Sequence, residues 1–161
     1  MSALAFVRPD SSDFPLFLHV LGAMVLVGAL VLALGYLASA WRGQSADSLR
    51  VGFRVLLYGA FPGYIVMRVA AQWIYSKEGL DDLPTDPNWV GIGFGVSDFG
   101  LLFLLIATIA AGVGARRART ATAGEGGTTT GTTSVRVAAV CTGLLLVAYL
   151  VAIWAMTTKP L

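Results

Sequence analysis

The sequence predicts an all-α polytopic membrane protein, a bundle of four transmembrane helices with both termini on the outer side. Three observations carry that prediction. The chain has 161 residues, 57% hydrophobic and 12% charged, where a soluble domain carries about twice that share of charge. Four apolar segments approach or exceed the roughly 20 residues that cross a bilayer, and together they occupy over half the chain. The arginines gather in two of the three connecting loops, which the positive-inside rule assigns to the cytoplasm.

These bounds exclude much. The length suits a single domain over residues 1–161, and the four segments leave no room for a soluble domain. A net charge of +2 is too small to point to nucleic acid. The single cysteine, Cys141, lies in an apolar run, so neither an intrachain disulfide nor a cysteine-based metal cluster is expected. Ala38-Ser-Ala40 has the small-x-small form of a cleavage site. However, the apolar run before it is about twice a usual signal core and lacks a basic lead, so the first helix is expected to be retained.

After a polar lead, Met1–Asp13, the first helix is expected over about 14–41. Asp13 suits its N-cap and Pro15 its first turn. Its interior is rich in small residues, Gly22, Ala23, Gly28, Ala29, Gly35 and Ala38, which let helix backbones approach closely in lipid. The second helix is expected over about 49–75, with Pro62-Gly63 inside it. Proline removes a backbone donor and should kink it. Tyr64, Arg68 and Gln72 recur every fourth residue and so share a face. The third helix is expected over about 89–114, where Gly91 and Gly95 have the Gly-x-x-x-Gly spacing of a close-packing face. Residues 115–134 dissolve into Thr, Gly and Ala and read as a flexible cytoplasmic linker. The fourth helix follows over about 135–157.

Arg68 and Asp98 are charges inside apolar runs. Such residues are costly in hydrocarbon and usually pair or face a wet cavity. Counting about 1.5 Å per residue, His19, Arg68, Asp98 and Tyr149 fall in one slab of the outer half of the bilayer, with Gln72 just above Arg68. The expectation is a buried Arg68–Asp98 pair whose leftover hydrogen-bonding groups are met by Gln72, His19 and Tyr149. Three uses stay open: a structural bridge, a pocket or ion path, and contact with a partner subunit. The acidic second loop lacks the alternating carboxylates of a calcium loop. Gly-Lys-Ser/Thr, His-Glu-x-x-His and nucleophile-elbow motifs are absent. With one histidine a bis-histidine haem within one chain is impossible, while a His–Met site stays open through Met24, Met67 or Met156.

The stretch Leu18-His-Val-Leu-Gly-Ala-Met-Val-Leu-Val-Gly28 resembles the opening helix of copper-resistance CopD-type families and related small bacterial membrane families. Those families usually carry tryptophan where this chain has Leu26. The resemblance implies a polytopic protein with a functional histidine at position 19, near copper or haem. The residues themselves lead to a non-enzymatic, multi-pass protein of a bacterial cytoplasmic (inner) membrane. Its polar cluster would lock the bundle and offer a site for a small ligand or partner. No cofactor or metal is expected on that reading. The lipid bilayer is the expected partner, with association into a homo-oligomer or a larger membrane complex. The alternatives are a small transporter or channel for a proton, anion or small solute, and a haem- or copper-binding redox subunit.

Overall fold

The computed structural model describes residues 13–43, 46–77, 88–122 and 130–157. It is all-helical, with four helices long and apolar enough to cross a membrane. The polar lead before Asp13, most of the acidic second loop, residues 123–129 and the tail lie outside the described residues.

The first helix, α1, spans Asp13–Trp41. It ends where Gly43 adopts φ +77° and donates its N–H to the Ala40 carbonyl oxygen at 3.0 Å, a left-handed cap that glycine adopts without strain. The second span is in three parts: α2 (Ala46–Val55), a π-helical turn (Leu56–Ala60) and α3 (Phe61–Lys77). The irregularity expected from Pro62 takes this form. In the turn the Phe61 N–H reaches the Leu56 carbonyl oxygen, five residues back. The wider turn gives the proline ring room against the preceding carbonyls. The third span, α4, covers Asn88–Thr122, and the fourth, α5, covers Thr130–Thr157.

Of the expected linker, residues 115–122 and 130–134 are helical, and 123–129 lie outside the described residues. Ala and Arg at 115–119 are strong helix formers, and Ala115 and Val135 are both buried. A Cβ on Gly114 would lie 3.1 Å from Ser134 Oγ and 3.1 Å from Leu49 Cδ2, so α4, α5 and α2 still pack beyond the expected ends of the apolar runs.

The core runs down the inner face of α1 through Leu26, Ala29, Leu30, Ala33 and Leu37. Leu56, Leu104, Ala107 and Ala111 meet it from the second and third spans, and Ala138, Thr142 and Leu145 from the fourth. The tightest backbone contact joins α1 to α3. A Cβ on Gly22 would lie 2.5 Å from the Met67 backbone nitrogen, and one on Gly63 would lie 2.8 Å from the Leu26 nitrogen. The two helices thus cross backbone to backbone. Gly28, Gly35, Gly91 and Gly95 meet nothing within 4 Å. The close-packing face expected at Gly91 and Gly95 points away from the bundle, and the pair that packs within the chain is Gly59 and Gly63. A Cβ on Gly59 would sit 3.1 Å from Ala29 Cβ.

The second span changes neighbours along its length. At its start α2 packs on both α1 and α4. Past the π turn, α3 leans on α1 and barely touches α4. A gap opens between α3 and α4 at that end of the bundle.

Gly22→Ala and Gly63→Ala are expected to destabilise the purified protein by at least about 2 kcal/mol each, the cost of forcing atoms into a filled contact. Gly28→Ala and Gly35→Ala are expected to be neutral or slightly stabilising, because each adds helix propensity in open space. Thermal unfolding in one mild detergent compares all four. Equal effects at the four sites would mean that the α1–α3 crossing is not the tight one.

Candidate functional site

The site is built on the gap. Facing it from α3 are Arg68, Gln72 and Tyr75, at i, i+4 and i+7, and from α4 Phe94 and Asp98, at i and i+4. These spacings put each set on one helix face. Arg68 donates from Nη2 to Asp98 Oδ1 at 3.2 Å and from Nη1 to Gln72 Oε1 at 3.2 Å. Its guanidinium carbon lies 4.5 Å from the Phe94 ring centroid, within cation–π range. The Tyr75 ring meets Phe94 edge-on at 5.3 Å. Side chains thus stitch a seam that the backbones do not close.

The Arg68–Asp98 pair is formed but is not buried, which corrects the expectation. The Arg68 side chain is 27% exposed and that of Asp98 64%. The pair crosses the outside of the seam instead of sitting on the bundle axis. Each four-residue step overshoots a helical turn by about 40°. The Tyr64–Arg68–Gln72 stripe therefore winds from core to surface: Tyr64 is buried, Arg68 half-buried and Gln72 exposed.

Behind the seam lies a cavity of about 280 Å³ between α1, α3, α4 and α5. Its walls are apolar, with Leu16, Val27, Ile74 and Ile153 among them, and His19, Arg68, Ser97 and Tyr149 also line it. It approaches the lower size limit of small-molecule sites, about 300 Å³. Of the expected cluster, the structure brings His19, Arg68 and Tyr149 to this one space. Gln72 and Asp98 stand outside it, at the seam.

His19 and Tyr149 do not complete the Arg68–Asp98 network, contrary to expectation. His19 Nδ1 lies 3.0 Å from the Met67 carbonyl oxygen. A carbonyl only accepts, so the proton of this bond is on Nδ1, and in the neutral ring Nε2 is then the acceptor. This bond exists because Gly22, one turn further on, lets the two backbones touch. The Tyr149 hydroxyl lies against Gly100, where a Cβ would be 2.7 Å from it, and it has no hydrogen-bond partner among the described residues.

Ser97 is a site residue that spacing did not single out. It is 5% exposed, Tyr149 is 6% exposed, and neither hydroxyl oxygen is paired. The two buried threonines behave differently. Thr108 donates to the Leu104 carbonyl oxygen and Thr142 to that of Ala138, each at 2.7 Å, the usual resting place of a hydroxyl inside a helix. Burying an unpaired hydroxyl costs about 1–3 kcal/mol, and the cavity wall concentrates two of them. A sequence signal for Ser97 existed in its position beside Asp98 in an apolar run.

No protein-family model matches the chain, and comparison with curated proteins and with solved structures gives no match either.

A double-mutant cycle with Arg68→Met and Asp98→Asn is expected to give a favourable coupling of at least about 0.5 kcal/mol, because the two side chains are in direct contact. Thermal unfolding in detergent reads it. A coupling indistinguishable from zero would contradict the seam geometry.

Proposed function

We propose that this chain is a non-enzymatic, four-span protein of a bacterial cytoplasmic membrane that binds a small neutral amphiphile in the cavity behind the α3–α4 seam. The two unpaired buried hydroxyls of Ser97 and Tyr149 carry the reading. An apolar cavity that strands two hydroxyls is matched by a molecule with an apolar body and a polar group able to bond them. His19 Nε2 adds an acceptor. Arg68 adds little net charge, because Asp98 neutralises it at the rim.

The orientation belongs to the same proposal. Arg42, Arg50, Arg54, Arg116, Arg117, Arg119 and Arg136 stand at the end of the bundle where α1 and α4 finish and α2 and α5 begin. Arg136 also lies over the Trp41 ring there, at 5.7 Å. That end is cytoplasmic by the positive-inside rule. The termini and the cavity then belong to the outer half. Between the two ends Leu30, Ala33, Leu56, Leu104 and Ala107 are almost completely buried. A transported solute would have to displace that layer, so the transporter reading draws no support from the packing.

Wild-type protein extracted from its own membrane in mild detergent is expected to carry a small adduct in native mass spectrometry. Ala71→Leu, which fills the cavity wall, should remove it. Tyr149→Phe should also lose it while leaving the fold at least as stable as the parent, because an unpaired buried hydroxyl is gone. Wild type without an adduct, together with no Tyr149-dependent thermal shift across a lipid-extract screen, would refute the proposal.

One observation favours a second reading. His19, Met67 and Met156 line the same cavity. An imidazole nitrogen with two thioethers is a donor set suited to copper(I), and the Met67 carbonyl fixes His19 so that Nε2 is the open nitrogen. On this reading stoichiometric copper(I), measured by competition with a coloured chelator, would be lost in His19→Ala. Oxidised and dithionite-reduced spectra of the same sample test for haem. A chelator that strips wild type and His19→Ala equally would remove the copper reading.

A further inference from the structure

At the opposite end of the bundle from the cavity, a groove of about 480 Å³ runs between α2 and α4. Arg50 and Arg54 line it from α2, and Arg116 and Arg119 from α4. Its floor is apolar. The Phe53 ring fits against Gly112, where a Cβ would lie 3.0 Å from Cε2. Ile109 and Val113 continue the floor along the outside of α4 and are exposed. Asp47 takes Nη1 of Arg50 at 3.2 Å but is itself 81% exposed. The Arg50 Nε is buried without a hydrogen-bond partner.

We infer that this groove is a binding site for one anionic phospholipid, its phosphate held by the arginines and an acyl chain lying along Ile109 and Val113. Guanidinium forks match phosphate oxygens in geometry and charge. Arginines from both helices converge on the one groove, so an anion seated there meets positive charge from two sides. The exposed aliphatic face that continues from the groove selects a lipid over a soluble anion. Basic pockets between spans near a membrane surface recognise such headgroups, each cationic side chain contributing about fivefold in affinity. This site lies apart from the cavity and does not depend on what the cavity binds.

The test titrates the intact protein in neutral detergent with phosphatidylglycerol and with phosphatidylcholine of the same chains, read by native mass spectrometry. Phosphatidylglycerol should bind at least about tenfold more tightly at low salt, and the difference should shrink as salt screens the contact. Arg54→Gln with Arg116→Gln, both exposed, should weaken phosphatidylglycerol by about 25-fold and leave phosphatidylcholine unchanged. Equal binding of the two lipids to wild type would overturn the inference without any variant, so a variant that fails to fold costs nothing. Displacement of phosphatidylglycerol by millimolar inorganic phosphate would make the groove a soluble-anion site, and would overturn it too.

Discussion

The contact between Gly22 and Gly63 decides where the rest of the chain can go. Two helix backbones meet there with no side chain between them. In an apolar medium helices have no hydrophobic drive to associate, so close van der Waals contact of this kind does the joining. Once α3 is held on α1 at this point, Leu26 and Met67 are buried in the core and the Met67 carbonyl comes within reach of His19. The same hold draws α3 away from α4. The cavity is the space left behind, and the Arg68–Phe94–Asp98 stitch is what crosses its mouth.

One span can serve two partners only because its helix is interrupted. Before the π turn, α2 places Leu49 and Phe53 against Gly114 and Gly112 of α4. After it, α3 places Gly63 and Met67 against α1. A proline at position 62 has no N–H to give, so an irregularity there forfeits a hydrogen bond that was already lost. Backbone groups facing hydrocarbon must be satisfied within the helix. The Phe61-to-Leu56 bond keeps the turn closed while the helix shifts its phase. Pro62 and Gly63 therefore act together: the first makes the change of register cheap, and the second uses it.

How much of this can be read in the sequence depends on the kind of contact. Composition and run length identify the four spans, because crossing a bilayer imposes length and apolarity residue by residue. Arg68 and Asp98 stand out because charges in apolar runs are rare. Which glycine packs is not legible. Gly22, Gly28 and Gly35 look alike along one helix, and only the rotation set by the partner helix distinguishes them. The burial of the Arg68–Asp98 pair is misjudged for the same reason: depth follows from counting residues, but distance from the bundle axis does not. The Met67 carbonyl carries no side-chain signal at all. The helix over 115–122 is hard to see in hydrophobicity, because its Ala and Arg residues favour helix on intrinsic grounds and not through an apolar face.

The chemistry of the cavity follows from what Arg68 does outside it. Two of its donors are engaged by Asp98 and Gln72 and its flat face by Phe94. Its charge is balanced at the seam, where the carboxylate is exposed, so an anion inside the cavity would find little uncompensated attraction. What remains inside is a pair of neutral hydroxyls and one imidazole lone pair, on apolar walls. Hydroxyls both donate and accept, whereas Nε2 of this tautomer only accepts. On the proposed reading, discrimination would follow hydrogen-bond pattern rather than charge: a guest that bonds both hydroxyls would satisfy them, and a purely apolar guest would leave the burial cost of Ser97 and Tyr149 in place. The seam therefore joins the helices at the mouth of the cavity and pairs Arg68, which lines it, with a carboxylate outside.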